Sequence, residues 1–383
     1  MATVESGRRT LHRGWNGPES RKNRSKGRAK LDMRGYRVLV NEKMHTIRFL
    51  PIGLRIGCMS EILSREHINE PTERFPRCHC STIVELTGGD LLAAWYAGTG
   101  EAKMDSAVVS SRRKSGENSW EPLRVLSDTP RKPEGNCVLF TAPDGRLWLV
   151  FALMHGKLDG HWGPGVRWAT CDIRSMTSDD GGLNWSETRV IREELGMVPR
   201  CKPVILDNNE IVMGFENNLG FSHFMISSDN GQSWFWTGPL RGVPNEHPAL
   251  IQRDNGDILA MLRPSLFRRI GKAISRDRGR IWEDAVNTEL LNPGAAIDMV
   301  KLEDGRVVIV FNDSWRSRNP LTLALSEDEG DSWPYKRDLV TGDGSFAYPA
   351  IINDSEGLIH VTFTNNRNHI DHVVLEPDWI LGG

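Results

Sequence analysis

The stretch Ser227-Ser-Asp229-Asn-Gly231-Gln-Ser-Trp234 decides the fold of this chain, because its pattern, Ser-x-Asp-x-Gly-x-x-Trp, occurs four times. The other copies end at Trp185, Trp282 and Trp333, and a degraded fifth copy ends at Trp120. A repeat that recurs about every 50 residues is typical of propellers, solenoids and other arrays. The Gly supplies positive φ in a turn, and the Asp carboxylate accepts backbone N–H bonds across it. We therefore interpret the cassette as a structural turn.

A second repeat, in which a turn joins two apolar runs, accompanies the cassettes. Its six turns begin at Gly88, Asp144, Asn208, Asn255, Asp304 and Glu356. An apolar run, a tight turn and another apolar run form a β-hairpin. One blade of a β-propeller then consists of a hairpin, a loop, a third strand, the cassette turn and a fourth strand.

The fold class predicted is therefore all-β, with a six-bladed β-propeller over residues 51–383. A seven-bladed ring is the alternative, because the segment between Asp144 and Asn208 is long. The last unit lacks a cassette of its own, so we expect residues 61–65 to supply its outer strand. Closing the ring in this way removes exposed sheet edges.

The charge is distributed unevenly along the chain. The formal net charge is −2, yet residues 1–34 carry ten Lys and Arg against three Asp and Glu, so the remainder is acidic. An acidic body argues against a nucleic-acid partner. We interpret residues 1–50 as a basic segment that is either disordered or precedes an internal start at Met33, Met44 or Met59.

No apolar run is long enough to span a membrane, and no secretory signal is visible at Met1. The expected location is cytoplasmic by default, or secreted or periplasmic if the start is internal. The six Cys show no CxxC pair and no disulfide-framework density, so neither a metal site nor a cofactor is expected.

Polar and ionisable side chains recur just before the predicted inner strands, where a propeller presents its ligand site. If these positions had only a structural role, Gly, Ser and Asn would be sufficient there. Convergent charged and aromatic groups instead predict a polar, anion-binding pocket. The candidates are Arg77, His79, Asn136, Arg200, Lys202, Glu246, His247 and Tyr348.

With these motifs the chain resembles the sialidase (neuraminidase) superfamily, over roughly residues 75–375. The cassettes match the Asp-boxes of that superfamily. The functional positions of that superfamily are matched by the order Glu246…Arg263, the Ala347-Tyr348 pair, Arg318 (or Arg316) and Asp105. The resemblance implies an exo-acting, retaining glycoside hydrolase that removes a terminal acidic sugar of sialic acid type from a glycan or oligosaccharide.

The resemblance also implies the roles of these residues. Tyr348 attacks the sugar and Glu246 takes its proton, while Asp105 protonates the leaving oxygen. Arg263 and Arg318 bind the substrate carboxylate. A neutral phenol suits this substrate, because the sugar carboxylate beside the anomeric carbon would repel a carboxylate nucleophile.

One departure keeps two alternatives open. Sialidases begin the first blade with an Arg-Ile-Pro motif, and His79 stands at the position of that Arg, with Arg77 out of register. The first alternative is a propeller lyase for uronic acids, of rhamnosyl-glucuronate type, in which a His abstracts the C5 proton and Arg or Lys neutralises the uronate. Its parts would be supplied by His79, Tyr348, Arg200 and Lys202. The second is a non-catalytic glycan-binding propeller, which would need no acid, base or nucleophile.

Overall fold

The computed structural model describes residues 36–41, 46–51, 61–155, 168–217 and 219–383. The chain divides into two compact units, Met1–Cys58 and Met59–Gly383. In the first unit, strands β1 (Tyr36–Asn41) and β2 (Thr46–Pro51) pair antiparallel. The rest of the predicted basic segment lies outside the described residues. Within the described part, no helix has the length and apolar character needed to cross a membrane.

The second unit begins with β3 (Ile62–His67) and then forms antiparallel sheets in chain order. Blade 1 contains β4 (Arg77–Glu85), β5 (Leu91–Gly98), β6 (Ala107–Arg113) and β7 (Arg124–Ser127). Blade 2 contains β8 (Glu134–Thr141), β9 (Leu147–Met154), β10 (Cys171–Ser178) and β11 (Arg189–Arg192). Blade 3 contains β12 (Met197–Pro199), β13 (Val204–Ile205), β14 (Ile211–Asn217), β15 (Phe221–Ser227) and β16 (Phe235–Trp236).

Blade 4 contains β17 (Asn245–Gln252), β18 (Ile258–Pro264), β19 (Arg269–Ser275) and β20 (Val286–Leu291). Blade 5 contains β21 (Asp298–Lys301), β22 (Val307–Phe311), β23 (Leu321–Ser326) and β24 (Tyr335–Val340). Blade 6 contains β25 (Phe346–Asn353), β26 (Ile359–Asn365) and β27 (His369–Leu375). In the described part of the chain, two short 3-10 helices cover Trp168–Thr170 and Pro377–Gly382.

The ring is closed by the N-terminal strand of the second unit. Strand β3 pairs antiparallel with β27 as the fourth strand of blade 6, with Arg65 opposite Val373. The six-bladed β-propeller and its predicted closure are thereby confirmed. Strands β9 to β13 occupy the long segment that had suggested a seventh blade, and they belong to blades 2 and 3.

The cassettes join neighbouring blades. Ser227 Oγ donates to Asp229 Oδ1 at 2.8 Å and accepts from the Gly231 N–H at 2.8 Å. Bonds donated by Ser233, from its hydroxyl and its backbone N–H, lower the pKa of Asp229 to about 2. The ring of Trp234 meets Trp148 of blade 2 edge to face, at 6.2 Å between centroids. The cassette therefore has a structural role, as interpreted from the sequence.

Candidate active site

Four inner strands are irregular at equivalent points. Strands β4, β8, β17 and β25 each carry a bulge near their start, where two residues interrupt the pairing. A bulge bends its strand and redirects a side chain. The first residue of each bulge has a left-handed backbone: Cys80 (φ 63°), Asn136 (φ 45°), His247 (φ 45°) and Tyr348 (φ 52°). Such strain in non-glycine residues clusters at functional sites.

The phenol ring of Tyr348 is surrounded by cations. The guanidinium carbons of Arg318, Arg200 and Arg263 lie 5.2, 5.3 and 6.0 Å from the ring centroid. Burial raises the pKa of Tyr348, and the charges of Arg263 and Arg318 partly offset that increase. The phenol is therefore neutral at rest and needs a base to become a nucleophile.

Arg263 connects three candidate residues through a single nitrogen. Its Nη1 lies 3.1 Å from Glu246 Oε2, 3.3 Å from His247 Nδ1 and 3.4 Å from the Tyr348 hydroxyl. The other oxygen of Glu246 accepts a hydrogen bond from Ser265 Oγ at 3.0 Å. The bulges of blades 4 and 6 thus bring the proposed base, the proposed nucleophile and a carboxylate-binding arginine together.

A second carboxyl group at this centre, Glu216, was missed from the sequence. Its Oε2 lies 2.8 Å from His247 Nε2, although the angle is not that of a hydrogen bond. Burial raises the pKa of Glu216 to about 7, and burial likewise holds the pKa of His247 well below its usual value. Glu216 is the last but one residue of β14, as Arg263 is of β18, so reading the ends of these strands would have found it.

His79 forms the blade 1 side of the centre. Its Nδ1 lies 2.9 Å from Thr364 Oγ1, and its ring centroid lies 4.3 Å from that of Tyr348. Burial, followed by the charge of Arg367, holds the pKa of His79 well below its usual value. His79 is thus a neutral imidazole whose hydrogen bond to Thr364 fixes the orientation of the ring.

Two further candidates, Arg200 and Asn136, are buried. Arg200 is 2% exposed and donates to the carbonyl of Pro349 at 2.6 Å, so it braces the bulge that carries Tyr348. Asn136 is buried in the blade 2 bulge, at the position equivalent to Tyr348.

Two candidates are engaged elsewhere. Lys202 places its ammonium 2.9 Å from Asp298 Oδ2 and 2.9 Å from the carbonyl of Met299. Arg77 is exposed and donates to Asn368. Among the described residues no contact joins either side chain to Tyr348.

Asp105 lies in the exposed loop between β5 and β6. Its two oxygens accept bonds from the Thr99 N–H at 3.1 Å and the Thr99 hydroxyl at 3.0 Å. The same loop carries Glu101, which pairs with Arg367 at 2.6 Å. Within the described ranges, no group of three or more His, Cys, Asp or Glu side chains is arranged to hold a metal ion.

Comparison with known proteins identifies the family of the chain and related folds. A profile of the BNR repeat-like domain family matches residues 89–361. A sialidase from Micromonospora viridifaciens is 24% identical over 336 residues, which cover 77% of this chain and 51% of that protein. The chain therefore spans about half the length of that relative.

Solved structures share the fold at low identity. A protein of unknown function from Dyadobacter fermentans superposes with a TM-score of 0.71 at 18% identity, covering 83% of this chain and 99% of that chain. The NanB sialidase from Streptococcus pneumoniae superposes with a TM-score of 0.68 at 14% identity, covering 86% of this chain and 72% of that chain.

Proposed function

This chain belongs to the BNR repeat-like domain family of sialidase-like proteins, and we propose that it is an exo-acting glycoside hydrolase that removes a terminal acidic sugar, of sialic acid type, with retention of configuration. The observation that carries the proposal is the convergence on Arg263 Nη1 of Glu246, His247 and the Tyr348 hydroxyl. A neutral phenol held among guanidinium groups fits a substrate whose reacting carbon bears a carboxylate.

In the first step, the Tyr348 hydroxyl attacks the anomeric carbon while Glu246 accepts its proton. Arg263 contacts both groups, and its charge favours the phenolate character that develops as the proton leaves. The glycosidic carbon–oxygen bond breaks, and Asp105 gives its proton to the departing oxygen. Arg263 and Arg318 bind the sugar carboxylate by paired N–H···O bonds.

In the second step, water attacks the anomeric carbon of the tyrosyl-linked sugar. Asp105, now a carboxylate, takes the proton of that water, and Glu246 returns its proton to the Tyr348 oxygen as the bond to the sugar breaks. Two displacements at one carbon retain its configuration. The proton acceptor must come within hydrogen-bond reach of the phenol in the substrate complex. In the free protein the two groups are linked through Arg263 rather than directly.

One observation favours a second function, a uronate lyase. His79 is neutral and lies against the ring of Tyr348. A neutral imidazole can accept the proton from C5 of a uronic acid while arginines neutralise the carboxylate. The leaving group would then depart by elimination and leave a double bond in the product.

A product assay separates the two functions. The protein is incubated with a sialyl-oligosaccharide and, separately, with a rhamnosyl-glucuronate oligosaccharide, and products are followed by mass spectrometry and ultraviolet absorbance. We expect free sialic acid without new absorbance. An unsaturated uronate with new absorbance would instead assign the chemistry to the lyase. No product from either substrate would favour a glycan-binding propeller.

A further inference from the structure

We propose that a pocket at the seam between blades 2 and 3 is a second binding site, which takes one neutral pyranose ring of a glycan chain. The pocket has a volume of ≈ 190 Å³. Its lining includes three indole rings and two polar side chains, from Trp148, Trp234, Trp236, Arg189 and Gln232. The site does not depend on the proposed function, since none of these residues belongs to the centre around Tyr348.

The pocket lies at the opposite end of the blades from Tyr348. In blade 3, β12 and β15 both pair antiparallel with β14, so the third strand runs in the same direction as the inner strand. Tyr348 is the third residue of its inner strand, whereas the cassette that ends at Trp234 follows the end of β15. A sugar bound at the pocket therefore does not compete with a sugar bound at Tyr348.

The repeat of the fold supplies the first argument, because one position differs at this seam. In blades 1 to 4, the second residue of the second strand faces the cassette glycine of the following blade. This residue is aliphatic at three of the four complete cassettes: Leu92, Val212 and Leu259. At the seam of blades 2 and 3 it is Trp148, whose ring lies against Gly231. A tryptophan where an aliphatic side chain meets the needs of the fold adds an aromatic surface and an N–H donor.

The indole N–H of Trp148 supplies the second argument. Trp148 is 3% exposed, and its Nε1 has no hydrogen-bond partner among the described residues. Buried indole N–H groups usually have a partner, because an unpaired one loses its hydrogen bond to water. Its Cε2, which is bonded to Nε1, lies 3.2 Å from a Cβ built on Gly231, another lining residue. The N–H edge of Trp148 thus belongs to the pocket wall, where a ligand hydroxyl oxygen can accept its proton.

The aromatic surface supplies the third argument, and it favours a sugar. The rings of Trp234 and Trp148 meet at an interplanar angle of 89°, so they form a corner. Trp236 lies in the same lining, and the guanidinium carbon of Arg192 is 4.1 Å from its ring centroid. A pyranose has C–H groups that bury against apolar indole rings and hydroxyl groups that need hydrogen-bond partners. The pocket offers both kinds of contact.

The polar groups of the lining suit a neutral ligand. Arg189 and Gln232 are exposed, and among the described residues no hydrogen bond or ion pair holds either side chain. The indole and amide donors carry no charge, and solvent screens the charge of an exposed arginine. These donors therefore remain available to the hydroxyl oxygens of a sugar.

The volume of the pocket limits the ligand to one ring. Pockets for drug-sized ligands hold about 300–1,000 Å³, and one water takes up about 30 Å³ of the liquid. A pocket of ≈ 190 Å³ lies between these values. It accommodates a single sugar ring, and the rest of the glycan chain extends into solvent.

A titration with lactose tests the site, with the protein labelled with nitrogen-15 at its tryptophan indoles and followed by NMR. The Trp148 resonance is assigned by its loss in Trp148→Phe. We expect lactose to shift this resonance with a dissociation constant of about 1 mM. Sorbitol, which presents hydroxyl groups without a ring, should leave the resonance in place. An unshifted resonance at about 100 mM lactose, or an equal shift with sorbitol, would overturn the site.

Surface variants provide a second test that does not change the packing of Trp148. Gln232→Ala combined with Arg189→Met should weaken lactose binding about tenfold, and total tryptophan fluorescence gives the same titration without any assignment. Leu183→Ala is the matched control, because Leu183 is exposed and follows the cassette glycine of blade 2 as Gln232 follows that of blade 3. Unchanged binding in the double variant, or an equal loss in Leu183→Ala, would contradict the site.

The product assay separates this site from the proposed function. The double variant should release the same products as the wild type from a sialyl-oligosaccharide, since both substitutions lie outside the Tyr348 centre. Lactose binding without any product would leave the pyranose site standing and count against the hydrolase. Release of sialic acid without lactose binding would overturn the pyranose site alone.

Discussion

The ring of His79 lies 4.3 Å from the ring of Tyr348, centroid to centroid, and this contact joins blade 1 to blade 6 at the propeller axis. The contact places a neutral imidazole against the phenol. Arg263 and Arg318 approach the same phenol, with guanidinium carbons 6.0 and 5.2 Å from its ring centroid. The proposed function depends on this phenol of Tyr348.

The first prediction concerns that phenol. Tyr348→Phe removes the attacking oxygen, so kcat should fall by about a thousandfold or more. The fold should persist, since the hydroxyl makes one long contact, at 3.4 Å to Arg263. Thermal unfolding and kcat are measured for this variant and for the control Tyr335→Phe, because the Tyr335 hydroxyl faces Glu327 outside the site. A Tyr348→Phe variant with near-normal kcat would remove Tyr348 from the mechanism.

The second prediction concerns Glu216. Burial raises its pKa from 4.5 to about 7, so the folded protein binds a proton that the unfolded chain releases between these values. The free energy of unfolding should therefore fall as pH rises from 4.5 to about 7, by up to about 3 kcal/mol. Glu216→Gln should cancel this loss, and so should stabilise the protein more near pH 8 than near pH 4.5.

Urea unfolding at the two pH values checks this, with Glu303→Gln as an exposed control. An equal effect of Glu216→Gln at both pH values would show that the carboxyl group has an ordinary pKa.

The third prediction concerns the closure of the ring. His372 Nε2 lies 2.9 Å from His360 Nδ1, and His372 Nδ1 lies 3.3 Å from Glu66 of β3. The other ring nitrogen of His360 lies 2.8 Å from Asp354 Oδ2. Burial lowers the pKa of His372 from 6.5 to about 4. The charges of His360 and Arg113 lower this pKa further, whereas Glu66 raises it. The unfolded chain therefore binds the proton first as pH falls, and stability present above pH 6.5 should be lost between 6.5 and 4.

His372→Gln should flatten this part of the pH dependence, measured as the urea midpoint between pH 7 and about pH 4. The same slope in the variant and the wild type would assign the acid sensitivity to other groups.

The fourth prediction separates backbone strain from crowding at the cassette glycine. Gly330 has φ 87°, and a Cβ there would lie 2.4 Å from Leu259 Cδ2. Gly305 has φ 89° with no atom within 4 Å of a Cβ. Gly305→Ala should cost about 1 kcal/mol of unfolding free energy from the left-handed backbone alone. Gly330→Ala should cost about 1–3 kcal/mol more, because packing must adjust. Equal losses in chemical denaturation would show that Leu259 moves aside freely.

The fold could be predicted almost completely from the sequence, because each blade repeats two turns with the same chemistry. The motif that ends at Trp234 fixes the positions of its Ser, Asp and Gly, and these residues make the expected hydrogen bonds. The closing strand, β3, followed from the missing cassette of the last unit. The site was harder to predict, because its residues converge from different blades.

The site residues that were missed lie at points not marked by the repeats. Glu216 is the last but one residue of β14, whose end lies beside the start of the inner strand β12. Arg367 lies in a turn whose left-handed backbone no local motif indicates. Lys202, a candidate for the anion pocket, follows the same pattern as Arg200, but its neighbour Asp298 binds its ammonium instead. Whether a charged side chain faces a pocket or binds a neighbouring residue depends on the packing of the folded protein, so the sequence alone does not decide it.

The most direct measurement is the capture of the covalent intermediate. The protein is incubated with a sialosyl fluoride that carries a second fluorine beside the anomeric carbon, which slows breakdown of the sugar–enzyme bond, and is then digested for peptide mass spectrometry. We predict one added sugar on the peptide that contains Tyr348, and none in Tyr348→Phe. Release of sialic acid from an ordinary substrate without any adduct on Tyr348, or with an adduct on another residue, would contradict the account.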